Sequence, residues 1–250
     1  MKRKLEITSG GGSGKRVKHE RLAFQPAGSE YTREAEKYVL PQLEAQQASD
    51  CYLLKVRLSA QEMSTVQSDM EMLRPGAYET FPFMGKMMKH PRRHKAFGAS
   101  YFFSGKRHEA VAWADSPRSL IDVVHTVNRL CAGLGHEDVQ FNSALVNWYA
   151  NGHEYIARHA DDERDLQMPP IIATLSVGQK RTLRIRNKLS HEIVGDFDLE
   201  HGWLYVMCGA LFQKLFTHEV PRGGGQKGLG MQERISITLR QMKNAATVPQ

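Results

Sequence analysis

The stretch Glu233-Arg-Ile-Ser-Ile-Thr-Leu-Arg240 alternates polar and apolar residues without a break. A period of two predicts a β-strand with one buried aliphatic face. Further segments with strand-like composition lie upstream, at Phe141–Tyr149, Ile171–Val177, Thr182–Arg186 and Trp203–Cys208. Because helical segments precede these strands, the order of elements predicts an α+β domain with a β-sandwich or jelly-roll core.

Helical patterns dominate the part of the chain before these strands. Ser59 and Glu62 form a capping box ahead of apolar residues that fall on one helical face. Ser116-Pro117 is a favourable start for a second helix. Tyr31–Gln46 also has a helical pattern, with a kink or break at its proline. We expect these helices to pack beside the strands.

The polar face of the last strand carries two arginines and two hydroxyl residues, namely Arg234, Ser236, Thr238 and Arg240. This set suits a small dicarboxylate, because arginine pairs with a carboxylate through two hydrogen bonds. Asn147 and Tyr149 share one face of the upstream strand and offer an amide and a phenol as further hydrogen-bonding groups. The alternative for the last strand is a solvated outer face with ordinary surface arginines, and the alternative for Asn147 and Tyr149 is a strand end with ordinary polar residues.

His159-Ala160-Asp161 is followed 57 residues after the aspartate by His218. Residues two apart in an extended segment point to the same side, so His159 and Asp161 can reach one ion together. Two imidazoles and one carboxylate hold ferrous iron on one face and leave the opposite face open. Zinc is a second candidate for the same ligands.

Several motifs occur in a fixed order: N-W-Y, G-H-E-Y-I-A-R-H-A-D-D-E, P-I-I-A-T-L-S-V-G, H-G-W-L-Y-V-M, H-E-V-P and R-I-S-I-T-L-R. From about Pro82 to Met242 this order resembles the AlkB family of iron(II)- and 2-oxoglutarate-dependent dioxygenases. The resemblance implies a double-stranded β-helix (jelly-roll) core with flanking helices, with Fe(II), 2-oxoglutarate and O2 as cofactor and co-substrates. It implies His159, Asp161 and His218 as iron ligands. The 2-oxoglutarate contacts that it implies are Asn147, Tyr149, Arg234 and Arg240, helped by Ser236 and Thr238.

Met84-Gly85-Lys86, Pro91-Arg92-Arg93 and the run Ser100–Gly105 resemble the substrate-recognition segment of one branch. That branch is the nuclear AlkB homologue that repairs alkylated bases in double-stranded DNA. The resemblance implies that Phe103 stacks on the extracted base opposite His159. It also implies base-edge contacts from Tyr101, Asp162 and Glu163, and a DNA backbone contact from Arg92.

Phe83-Met84 lies where that branch places an aromatic wedge to fill the gap in the duplex. Apolar side chains, including Met, do insert between base steps. Since Met stacks less well than Phe, duplex DNA, single-stranded DNA and RNA all remain open as substrates.

The resemblance implies oxidative demethylation of bases such as 1-methyladenine and 3-methylcytosine in DNA. The same chemistry on RNA is the nearest alternative. A protein or lipid target is a further alternative among dioxygenases. A non-catalytic nucleic-acid-binding module with a relic metal site is the alternative outside enzymes.

With 250 residues and 41% hydrophobic content, the chain can bury one good-sized core. We therefore expect a disordered basic tail at 1–28, an extension with a nucleotide-recognition lid at 29–110, and a dioxygenase core at 111–250 that forms one compact domain with the extension. We also expect a monomer. No membrane-spanning run or secretory signal is evident. Three scattered cysteines, Cys51, Cys131 and Cys208, suit a reducing compartment.

The formal net charge is +7, and the segment 1–21 holds seven basic and two acidic residues. Most of the excess positive charge therefore lies in the tail. Its two basic clusters around a Gly/Ser spacer indicate a nuclear import signal or an arm that slides along polyanions. We expect a nuclear protein whose partner is DNA.

Overall fold

The structure of the chain is a computed structural model that describes residues 17–48, 50–103, 106–223 and 230–249, with the side chains of 101–103 outside this description. Within the described residues, nine strands form the larger sheet. In spatial order they are β1 (Lys18–Phe24), β2 (Arg33–Val39), β3 (Tyr52–Arg57), β15 (Trp203–Cys208), β12 (Ile171–Gly178), β17 (Arg234–Arg240), β10 (Ser143–Tyr149), β6 (Arg93–Phe97) and β9 (Ala110–Val111). Neighbouring strands are antiparallel, apart from β6 and β9.

A smaller sheet has four strands among the described residues, in the order β11 (Ile156–His159), β16 (Phe216–Val220), β13 (Arg181–Asn187) and β14 (Ile193–Leu199). Two hairpins form small sheets of their own, separate from these two. One joins β4 (Thr80–Phe83) to β5 (Lys86–Lys89), and the other joins β7 (Tyr101–Phe103) to β8 (Lys106–His108). The helices are α1 (Pro41–Ala45), α2 (Ala60–Met63), α3 (Val66–Met72), α4 (Arg118–Gly133) and α5 (Ala210–Leu215).

The two faces of the larger sheet belong to different cores. On one face, Ile235, Ile237 and Leu239 of β17 pack with apolar residues of α3 and α4. Full burial of each such aliphatic side chain contributes about 1.5–3 kcal/mol relative to exposure. On the other face, Leu145 packs with Ile185 of the smaller sheet. Helices α3 and α4, the larger sheet and the smaller sheet therefore lie in layers, and the predicted α+β jelly-roll architecture is confirmed.

The strand predictions from Phe141 onward are confirmed, with small shifts at the ends. The predicted face alternation also holds for β17, but all seven of its residues are buried. The polar face of this strand is thus interior, not solvated. The capping box of Ser59 and Glu62 is present at α2. Helix α4 is present too, although the Ser116 hydroxyl donates to the carbonyl of Ala112 at 2.9 Å and does not cap it.

Two expectations for the first fifty residues are wrong. Arg33–Val39 is a strand, not a helix, because it hydrogen-bonds to strands on both sides, and only Pro41–Ala45 beyond it is helical. The disorder expected over 1–28 does not extend to Lys18–Phe24, which forms β1 and buries Phe24 in the core. The rest of the predicted tail, residues 1–16, lies outside the described residues.

Strands from both sides of the expected boundary at residue 110 share hydrogen bonds in the larger sheet, where β6 pairs with β10. The division into extension and core stays a prediction. Among the helices of the described residues, none combines the length and the apolar composition that crossing a bilayer requires.

Candidate active site

His159, Asp161 and His218 lie at one end of the smaller sheet. His159 is the last residue of β11 and pairs in register with His218 of β16, with the two rings 4.2 Å apart. Asp161 follows two residues later, and its Oδ2 lies 3.3 Å from Nε2 of His218. One potential ligand atom from each of the three residues lies within 4.8 Å of the others. The predicted triad therefore assembles in space.

Hydrogen bonds fix the direction of these side chains. Nδ1 of His159 lies 2.9 Å from the carbonyl oxygen of Ala157, so Nδ1 carries the proton and Nε2 keeps a lone pair. The backbone N–H of Asp161 donates to Oε1 of Gln213, a buried residue of α5, at 3.0 Å. The Arg240 guanidinium donates to Oδ1 of Asp161, with Nε at 3.2 Å and Nη2 also in contact. Oδ2 is thereby left facing the histidines.

The charge state of the triad suits a divalent metal. Burial and then the neighbouring His218 lower the pKa of His159 to about 3, so this imidazole is neutral at pH 7. Burial raises the pKa of Asp161, but Arg240 and the two imidazoles outweigh it and hold this pKa well below its ordinary value. Neutral imidazoles and an ionised carboxylate are the forms that bind metal.

A pocket beside the triad is lined by every residue predicted to contact a dicarboxylate, which are Asn147, Tyr149, Arg234, Ser236, Thr238 and Arg240. They converge because β10 and β17 are neighbours. Tyr149 pairs in register with Arg234, and Asn147 pairs with Ser236. His159, Asp161 and His218 line the same pocket.

Arg234 is a buried cation with spare hydrogen-bonding capacity. Its side chain is among the largest fully buried ones, and burial lowers its pKa to about 10, which keeps it charged at neutral pH. Nη2 donates to Oγ of Ser176 at 3.0 Å, and the guanidinium lies 5.1 Å from the ring centre of Tyr149. Nε and Nη1 find no acceptor among the described residues. Because buried donors without acceptors are costly, this arrangement fits an anionic ligand.

Arg92 lies in the interior, beside the pocket residue Asn147. It is buried, and its Nε donates to Oδ1 of Asn147 at 2.7 Å. Arg92 thereby holds the amide of Asn147, whose Nδ2 lies 3.5 Å from the hydroxyl of Ser236. The expected contact of Arg92 with a DNA backbone stays a prediction.

The expected base-edge residues differ in exposure. Asp162 is 67% exposed and pairs with Nζ of Lys188 at 3.2 Å. Glu163 is half-buried, and this burial raises the pKa of its carboxyl group. The charge of Arg240 opposes the rise, and the charge of Asp161 adds to it. Tyr101 and Phe103 belong to β7, and their side chains lie outside the described part of the structure.

Phe83 and Met84 form the end of the β4–β5 hairpin, which we call the finger (Thr80–Lys89). Their exposed fractions are 55% and 88%. Met84 and Gly85 both have positive φ, 46° and 74°, as a two-residue hairpin loop of type I′ requires. Met87 and Met88 are exposed on the same hairpin. The finger thus presents apolar side chains to solvent.

Sequence reasoning missed residues that support the site. Ser176 lies opposite Ser236 in the β12–β17 register, and its place two residues after Thr174 on an inward face was a detectable signal. Arg181 donates to the carbonyls of Asn151, Glu154 and Pro221 and lies beside Tyr149. Gln213 gave no comparable signal, because it stands alone in a short helix.

Most of the chain matches one known protein family. A family model described as the 2OG-Fe(II) oxygenase superfamily matches residues 38–240. The chain belongs to this superfamily. Membership implies Fe(II), 2-oxoglutarate and O2. The residues of the pocket fit them, since the triad supplies two imidazoles and a carboxylate, and Arg234 supplies donors without acceptors among the described residues for a ligand carboxylate.

Individual relatives of this oxygenase carry AlkB names. The human alpha-ketoglutarate-dependent dioxygenase alkB homolog 3 is 36% identical over 121 residues, which cover 45% of this chain and 40% of the relative. DNA oxidative demethylase ALKBH2 of Arabidopsis thaliana is 29% identical over 160 residues, covering 55% and 48%. The mouse ALKBH2 is 32% identical over 144 residues, covering 53% and 56%. The chain spans about half the length of these relatives. They confirm the resemblance to AlkB-type dioxygenases.

A solved structure of OsALKBH1 aligns with 76% of this oxygenase chain and 96% of its own, with a TM-score of 0.48 and 14% identity.

Proposed function

We propose that the protein is a dioxygenase that demethylates N-alkylated bases in DNA, such as 1-methyladenine and 3-methylcytosine. The observation that carries the chemistry is the convergence of the triad and the buried Arg234 in one pocket. The relatives include DNA oxidative demethylases, which supports the substrate class.

His159, Asp161 and His218 would hold the iron. When bound, Fe(II), 2-oxoglutarate and O2 supply the oxidation of an N-methyl carbon to a hydroxymethyl group, which leaves as formaldehyde. The protein's own part is to hold the methyl group near the metal and to exclude water. The Ala157 carbonyl orients His159, and Gln213 orients the backbone of Asp161. These contacts keep the ligands in place.

Arg234 would bind a carboxylate of 2-oxoglutarate through Nε and Nη1. Ser176 and Tyr149 hold its guanidinium in position. Asn147, Tyr149, Ser236 and Thr238 would contact the same ligand. Arg240 would also contact 2-oxoglutarate, at the end of β17 where it donates a hydrogen bond to Asp161.

A base in a duplex must leave the stack before its methyl group can reach the pocket. We infer that Phe103 and His159 stack on the extracted base, and that Tyr101, Asp162 and Glu163 contact its polar edge. Carboxyl groups attract both an exocyclic amine and the positive charge of a methylated ring nitrogen. Phe83 and Met84 would fill the gap in the stack, because they form the exposed apolar end of the finger.

RNA is the second candidate substrate, and the observation that favours it is the methionine at position 84. A Met at the end of the finger stacks less strongly than an aromatic ring, which weakens the case for duplex DNA. We further propose a monomer that reaches the nucleus through its basic amino-terminal clusters.

The test uses the full chain with Fe(II), ascorbate and duplex DNA carrying one 1-methyladenine, with and without 2-oxoglutarate. Mass spectrometry of the DNA should show loss of one methyl group only when 2-oxoglutarate is present. His159→Ala should abolish this loss, whereas His201→Gln, on an exposed turn, should not. Matched RNA and single-stranded DNA establish the preferred strand. Demethylation by His159→Ala, or no demethylation of any methylated nucleic acid, would contradict the proposal.

A further inference from the structure

A second histidine cluster lies outside the triad. His90, His94 and His108 are each at most 4% exposed, and one ring nitrogen from each lies within 4.8 Å of the others. The carboxylate of Glu79 stands against two of them. The proposed function uses none of these four side chains.

The distances in this cluster match those around a four-coordinate metal ion. Nε2 of His94 lies 3.3 Å from Nδ1 of His108. The two Glu79 oxygens lie 3.5 Å from His94 and 3.2 Å from His108. Zinc bonds of about 2.0–2.1 Å in a tetrahedron place the ligand atoms about 3.3–3.4 Å apart. His90, whose ring centre is 4.8 Å from that of His94, would move inward as the fourth ligand.

The protonation state of the histidines also suits a metal. Burial and then Arg92 lower the pKa of His90 to about 4 and that of His94 to about 3. Both imidazoles are therefore neutral at pH 7, and a metal would not have to displace protons. Lys106, which donates to Glu79 at 2.9 Å, and Arg92 add positive charge nearby. The Glu79 carboxylate is consequently essential for holding a cation here.

The four residues come from separate pieces of the fold. Glu79 immediately precedes the finger and His90 immediately follows it, and the His90 N–H donates to the Glu79 carbonyl at 2.9 Å. His108 lies on β8 of the second hairpin. His94 lies on β6 of the larger sheet, opposite Asn147. An ion bound by all four would join both hairpins to the sheet.

We propose that Glu79, His90, His94 and His108 form a structural Zn²⁺ site that fastens the finger and the β7–β8 hairpin to the larger sheet. Three histidines and a carboxylate are a zinc-type donor set. Two-stranded hairpins are marginally stable alone, so a bound ion adds order where sheet pairing is short. The proposal does not depend on the reaction at the triad.

The test measures zinc in the full chain after dialysis against Zn²⁺ and removal of the excess. In the double variant His159→Ala/His218→Ala, which lacks two triad ligands, we expect one zinc per chain by plasma mass spectrometry. Adding His94→Gln should lower this to zero, and adding His201→Gln should leave it at one. No zinc in the double variant, or zinc unchanged by His94→Gln, would overturn the proposal.

A second readout needs no change in the cluster. Co²⁺ bound to the double variant should give the intense visible absorption of a tetrahedral site, which a six-coordinate ion lacks. Hydrogen exchange should slow in Thr80–Lys89 and Lys106–His108 when Zn²⁺ is added, and should stay unchanged in β1. A weak six-coordinate spectrum, or exchange unaffected by Zn²⁺, would overturn the proposed four-coordinate site.

Discussion

Arg240 and Asp161 form a buried ion pair, in which Nε of Arg240 lies 3.2 Å from Oδ1 of Asp161 and both side chains are at most 6% exposed. The pair joins the last strand of the larger sheet to the residue that follows β11. One guanidinium thereby orients a candidate metal ligand and lines the candidate 2-oxoglutarate pocket.

Replacing Arg240 with Met should therefore destabilise the protein and disturb metal binding together. The change leaves the Asp161 carboxylate buried without its cation, which costs about 3–5 kcal/mol in free energy of unfolding. The pKa of Asp161 should also rise, so Fe(II) affinity should become more sensitive to mild acid. Urea unfolding and metal titration at several pH values measure both effects.

Arg184→Met is the matched control, since Arg184 pairs with Asp196 on the surface of the smaller sheet. An exposed pair of this kind contributes about 0–1 kcal/mol. Equal destabilisation by the two variants would count against a special role for Arg240.

Arg234→Met should raise the 2-oxoglutarate concentration required for half-maximal succinate formation by about 10- to 100-fold, the loss expected for a charge-assisted carboxylate contact. The protein without ligand should keep its stability, because Nε and Nη1 of Arg234 have no acceptor among the described residues. Enzyme kinetics and ligand-free thermal unfolding separate the two effects. A normal 2-oxoglutarate requirement would remove Arg234 from the binding site.

The fold and much of the site could be predicted because their signals are local. Alternation over Arg234–Arg240 predicts a strand, and the same alternation brings its polar residues to one side. Features that depend on distant partners could not be predicted. Arg33–Val39 is a strand because its neighbours are strands, although its own pattern suits a helix. Arg92 is interior because Asn147, 55 residues away, accepts its hydrogen bond.

The cluster of Glu79, His90, His94 and His108 illustrates the same limit. His90 and His94 have the H-x3-H spacing that zinc ligands often show, but Glu79 and His108 lie in other segments of the sequence. Only the pairing of β6 with β10 and the folding of two hairpins bring their side chains together.

Met84→Phe should raise demethylation of duplex DNA relative to single-stranded DNA, because an aromatic ring stacks better in the gap left by the flipped base. Met84→Ala should lower the same ratio. Paired assays on one lesion in both strand contexts measure it, and Met72→Ala, an exposed methionine on α3, is the control. A ratio unaffected by either change would exclude the end of the finger as a wedge.

The metal-free protein should lose stability as the pH falls below about 6.5, the ordinary pKa of histidine. In the folded chain the pKa of His90 is lowered to about 4 and that of His94 to about 3. Between these values and 6.5 the unfolded chain binds more protons, so acid favours unfolding. Urea midpoints at pH 7.5, 6 and 5 should therefore fall, and the fall should be smaller in His94→Gln than in His201→Gln. An equal fall in both variants would mean that His94 titrates normally in the folded chain.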